Sequence, residues 1–164
     1  MRHVEILHPT GLDLPRHFMI KKMHFTVSDR ASIEAGILVK SSYIVISIHD
    51  PDKRKARIPK QSGLRDVLYL AFNDAEPSES LALPAEIVLM SEAQAREAWA
   101  FVQKWAGQVG AVIVHCEQGM SRSPAVAAAL CSAFGGDERR FFKEYQPNQY
   151  VYQLMLRCSA EAAS

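Results

Sequence analysis

The feature that most restricts the fold is the run AVIVHCEQGMSRS, residues 111–123, where a short apolar stretch passes within a few residues into an Ala-rich one. Ala111 to His115 (AVIVH) has the length and β-branched content of a strand buried on both faces. Pro124 to Phe134 reads as a helix, and Gly135-Gly136 is suited to end it. A buried strand that feeds a helix through one tight loop is the unit of a parallel sheet covered by helices.

The rest of the chain fits that unit. Met23 to Ser28 alternates with the period of a strand, and Arg30 to Ala35 follows as a short helix closed by Gly36. Tyr43 to Ile48 (YIVISI) and Val67 to Phe72 (VLYLAF) are two more buried strands. From Ser91 the period becomes helical, with Ala95, Ala98, Trp99, Val102, Trp105 and Ala106 on one face and Ser91 to Gln94 forming a capping box. Asp137 is positioned to cap a helix up to Tyr145, and Pro147-Asn148 to start a final one. The expected fold class is α/β, a three-layer domain with a central, mostly parallel sheet of four to five strands flanked by helices. Residues 1–21 are expected to form an N-terminal arm, and residues 22–164 the single domain that carries this unit.

Between strand and helix, Cys116 and Arg122 stand with five residues between them. Backbone N–H groups at a helix N-terminus converge on an anion, and the helix dipole adds partial positive charge. Gly119 lets such a loop turn where a side chain would clash, and Arg122 offers a fork to two phosphate oxygens. Glu117, Gln118, Gly119, Met120 and Ser121 supply loop amides to the phosphate. A cysteine at the start of the loop lies in the same positive field, which favours its thiolate. Ser123 can donate to that sulfur and help expel it. A nucleophile and an oxyanion cradle in one loop imply phosphoryl transfer through a cysteinyl-phosphate.

HCEQGMSRS resembles the HC-x5-R-S/T signature of the protein tyrosine phosphatase superfamily, and the chain's length is similar to the small dual-specificity-like and bacterial tyrosine-phosphatase-like branch. The resemblance is specific over residues 115–123 and loose, through the order of elements, from about Lys22 to about Arg157. It implies that His115 holds and polarises the cysteine loop, and that an Asp after an earlier strand is the general acid. Asp74, in the Asn73-Asp74-Ala75-Glu76-Pro77 stretch, matches that place, 42 residues before Cys116. Glu76 is the alternative acid, and Asp66 belongs to the far end of the strand. Implied substrates are phosphotyrosine or dual-specificity phosphoproteins, or small aryl phosphates, with phosphate, vanadate or sulfate as site ligands. Pro147-Asn148 also resembles a family feature, although capping alone accounts for Asn148. The other readings of the loop are a catalytically silent phosphate-binding module and a rhodanese-type sulfur transferase.

Charge and cysteine content narrow the partners. Nineteen Lys and Arg against eighteen Asp and Glu give a net charge of +1, which argues against nucleic acid as a partner. Met1 to Leu14 carries charges where a signal peptide needs an apolar core, and the uncharged run after the motif is far short of a membrane span. Three cysteines do not make a disulfide framework, so a reducing, cytoplasmic location is expected. The histidines lack ligand spacing, so no metal and no cofactor is expected. The basic run from Asp52 to Lys60 reads as a solvated loop or, if its strand is parallel to AVIVH, as a substrate-steering element on the rim of Cys116.

Overall fold

The computed structural model describes residues 22–162; the expected arm at residues 1–21 lies outside them. Four strands, β1 (His24–Ser28), β2 (Tyr43–His49), β3 (Leu64–Ala71) and β4 (Ala111–His115), form one sheet in the order β1-β4-β2-β3, and every neighbouring pair is parallel. Five helices accompany them: α1 (Arg30–Ala35), α2 (Glu92–Trp105), α3 (Arg122–Ala133), α4 (Arg139–Glu144) and α5 (Gln149–Ala162).

The two central strands are buried throughout, and largely apolar, because each face meets a different core. Ile44, Ile46 and Ile48 of β2, with Val112 and Val114 of β4, pack into the larger core with Trp99 of α2, the alanines of α3 and Leu154 and Met155 of α5. The alternate residues Tyr43, Val45, Ala111 and Ile113 pack with Ile33 of α1 on the opposite face. The pleat sends successive side chains to opposite sides, so a run such as YIVIS feeds both layers.

Helix α2 begins as its sequence requires: Gln94 N–H donates to Ser91 Oγ (3.1 Å), and Ser91 N–H donates to Gln94 Oε1 (3.0 Å). Trp99 is fully buried and its indole N–H donates to Met155 O (2.8 Å), which fastens α2 to α5. Helix α3 is buried on nearly all sides, which its small alanines permit.

Some boundaries differ from the sequence reading. β3 starts at Leu64, three residues before the apolar run, because its first residues pair with Tyr43 and Ile44 across an irregular register. Helix α3 starts at Arg122, so Arg122 and Ser123 are already helical. Asp137 lies outside the cap position of α4, and accepts instead from Arg139 N–H (3.1 Å).

Because all four strands run the same way, their carboxyl ends share one rim. Asp29, Asp50 and Cys116 directly follow strands there, and Asp74 stands three residues past β3. In open parallel sheets this rim is where ligands bind.

Candidate active site

The rim holds a cleft of about 350 Å³ with Cys116, Arg122, Asp50, Lys53 and Asp74 among its lining residues. Cys116 is 3% exposed, and its Sγ stands 3.0 Å from Oγ of Ser123, the second residue of α3. The loop between is shaped by Gly119, whose φ of +68° lies in the left-handed region. A Cβ there would stand 3.0 Å from the carbonyl carbon and oxygen of Ser28, so the position excludes a side chain on two grounds.

Hydrogen bonds from segments before and after it in sequence hold this loop by its carbonyls. Arg30 N–H donates to Glu117 O (3.1 Å), Gln146 N–H to Met120 O (3.0 Å) and Asn148 N–H to Ser121 O (3.0 Å). Among the described residues, no acceptor takes the N–H groups of residues 117–121. Oriented donors without protein partners at a helix start make an anion-binding concavity. The Glu117 side chain leans on Arg30 (3.5 Å), Gln118 lines the cleft, and Met120 is 43% exposed at it.

Arg122 is nearly buried and its Nη1 donates to Asp50 Oδ1 (2.6 Å) and Phe72 O (2.7 Å). Asp50 also receives Lys53 Nζ at its other oxygen (3.1 Å). Partial burial pushes the Asp50 carboxyl up, but Lys53 and Arg122 outweigh this and hold it below the ordinary carboxylate range. His115 lies under the loop with Nε2 2.6 Å from Ser47 Oγ and Nδ1 3.3 Å from Cys116 O. Burial is the main cause that lowers its pKa, which favours the neutral ring.

The two candidate acids separate clearly. Asp74 lines the cleft, and its Oδ1 accepts from Ser121 Oγ (2.8 Å) and Asn148 Nδ2 (2.9 Å). Glu76 lies outside the lining and accepts from Gln149 N–H (2.6 Å) at the start of α5. Asp66 sits at the opposite end of the sheet, bound by Trp105 Nε1 (3.1 Å) and Lys104 Nζ (3.3 Å). Asn148 does more than cap: its Oδ1 accepts from Val151 N–H (3.0 Å) while Nδ2 reaches Asp74 and Ala75 O, so capping alone does not account for it.

The basic segment does reach the rim, but it divides. Only Lys53 of it lines the cleft. Arg54 Nη1 bonds Glu34 (3.2 Å), and Lys55 Nζ lies 4.7 Å from the centroid of the Tyr69 ring. Sequence reasoning missed Asp50, Ser47 and the second role of Asn148. For Asp50 a signal existed, since an acid directly after a buried parallel strand must stand on the ligand rim. Cys116, Cys131 and Cys158 form no disulfide, and burial pushes the Cys131 thiol up. Among the described residues no cluster of His, Cys, Asp and Glu is suited to a metal ion, and no helix is long and apolar enough to cross a membrane.

No family model and no curated sequence matches the chain. Solved structures do. Human DUSP28 is 18% identical, with a TM-score of 0.52 over 84% of this chain and 92% of that one. The human tyrosine phosphatase-like serine/threonine/tyrosine-interacting protein is 21% identical, with a TM-score of 0.44 over 75% of this chain and 80% of that one. TpbA of P. aeruginosa is 17% identical, with a TM-score of 0.42 over 85% and 78%. The likeness to DUSP28 shows that the four-stranded parallel sheet and its helices have the tyrosine and dual-specificity phosphatase fold.

Proposed function

We propose that the chain is a phosphatase that hydrolyses phosphomonoesters through a cysteinyl-phosphate, acting on phosphotyrosine or dual-specificity phosphoprotein substrates. The observation that carries this reading is the common cleft: a sulfur 3.0 Å from a hydroxyl, a buried guanidinium and a doubly held carboxyl all border it.

The Cys116 thiolate attacks phosphorus, forming the S–P bond as the ester P–O bond breaks. The amides of residues 117–121 and the Arg122 guanidinium bind the three non-bridging oxygens, where negative charge concentrates. Because Asp50 and Phe72 fix Nη1, the fork is oriented before substrate arrives. Asp74 gives a proton to the departing ester oxygen. Two donors engage Oδ1, which leaves Oδ2 to carry that proton. In the second step the Asp74 carboxylate takes a proton from water, whose oxygen attacks phosphorus. The S–P bond breaks, inorganic phosphate leaves, and Ser123 stabilises the returning thiolate. His115 is a positioning residue beneath the loop.

The proposed catalytic domain is residues 22–164, and its location is the cytoplasm, where a nucleophilic thiol stays reduced. Rapid mixing with para-nitrophenyl phosphate tests the reading. A burst of nitrophenolate stoichiometric with enzyme, absent from Cys116→Ser, is expected. Vanadate binding without turnover would identify a silent phosphate-binding module instead.

A further inference from the structure

Among the described residues, Ile87 and Met120 are, besides Cys116, the apolar side chains that line the cleft. Met120 belongs to the nucleophile's own loop, whereas Ile87 arrives from the connection between β3 and α2. That connection is closed at its base. Asn73 N–H donates to Val88 O (2.7 Å), and Val88 N–H donates back to Asn73 Oδ1 (2.9 Å).

Asp74 is the first residue past this clamp and Ile87 the last before it, so residues 74–87 leave the rim and return to it. Ile87 N–H donates to Pro84 O (3.0 Å), which shapes the returning end. The clamp therefore fixes a proton donor and an apolar side chain on the same cleft.

We propose that Ile87 is a specificity-determining residue whose side chain packs on the ring of an aryl phosphate, which selects phosphotyrosine over phosphoserine and phosphothreonine. This rests on the phosphatase reading and names its substrate class. A phenyl ring offers an apolar wall far more surface than the short alkyl group of phosphothreonine, and binding there counts only if it persists in the transition state. Ile87 is half-buried and outside both cores, so replacing it leaves their packing intact.

The test compares kcat/KM for a phosphotyrosine peptide, a phosphothreonine peptide of the same sequence and para-nitrophenyl phosphate. Ile87→Ala lowers the value for both aryl esters about tenfold and leaves the phosphothreonine peptide within about twofold, the scale of lost apolar contact in a pocket. Ile87→Asn, with as many side-chain heavy atoms but polar, gives the same pattern, and Ile87→Leu keeps the aryl preference. Equal losses on all three esters, or no loss on any, overturn the assignment. A wild-type protein inactive on every ester overturns the phosphatase reading itself, a result distinct from an active enzyme indifferent to residue 87.

Discussion

Asn148 holds Asp74: its Nδ2 lies 2.9 Å from Oδ1 of the carboxyl, although 73 residues separate the two in sequence. The same side chain caps α5 through Oδ1, so one residue joins the last helix to the proposed acid. Asn148→Ser keeps a capping oxygen but loses the amide donor. It is expected to lower kcat on phosphotyrosine peptides about tenfold, as misplaced catalytic groups do, with only a small change in Tm. Steady-state kinetics and thermal melts on one preparation check both halves.

Replacing the acid itself tests the step it serves. Asp74→Asn retains an oxygen for Ser121 and Asn148 but carries no transferable proton. Phosphotyrosine turnover should fall by about 10²–10⁴-fold, the usual worth of general acid catalysis. Aryl phosphates with more acidic phenols should lose much less. A leaving-group series measures this, and Glu76→Gln should leave it unchanged.

Asp50 is expected to matter through Arg122. Asp50→Ala leaves a buried guanidinium with Phe72 O as its remaining partner, and should destabilise the fold by about 1–3 kcal/mol. KM for para-nitrophenyl phosphate should rise, because the fork is no longer oriented. Asp50→Asn, which keeps an acceptor oxygen, should do less on both measures.

Of the basic run, Lys53 alone is expected to affect substrate capture. Lys53→Ala should lower kcat/KM and weaken its dependence on ionic strength, since screening acts on exposed charge. Arg54→Ala and Lys55→Ala should not, because Glu34 and the Tyr69 ring occupy those side chains. A salt titration of the three variants separates them.

Stability should fall in acid in two stages. Burial is the leading cause that lowers the pKa of both His49 and His115 below the ordinary 6.5, so the unfolded chain binds protons first as pH drops. Their contribution is intact above 6.5 and is lost as pH falls below it towards the folded values. Asp50, also lowered, keeps its contribution above 3.8 and loses it below. Denaturant melts between pH 8 and 3 follow both stages, and His49→Gln should flatten the first.

What could be read from the chain was what depends on neighbours in sequence. Strand and helix identity, the Ser91 capping box and the need for Gly119 are local matters of period, cap and backbone freedom. Long-range partners were hidden. Asp50 stands beside Pro51 with no local sign of a partner, and its use appears only when α3 and the end of β3 bring Arg122 and Phe72 together beside it. Ser47 is one more β-branched-run residue until β2 lies beside β4 and pairs it with His115. Ile87 sits among unremarkable loop residues, and only the Asn73–Val88 closure returns it to the cleft.

The carbonyls of residues 117, 120 and 121 are gripped from both directions, by Arg30 and by Gln146 and Asn148. On a ribosome, Cys116 and Arg122 would emerge well ahead of the segment that completes their support. A nascent chain that stops short of residue 146 carries the whole reactive motif but only the Arg30 half of this grip, so the loop gains its second hold only after Gln146 and Asn148 have been made.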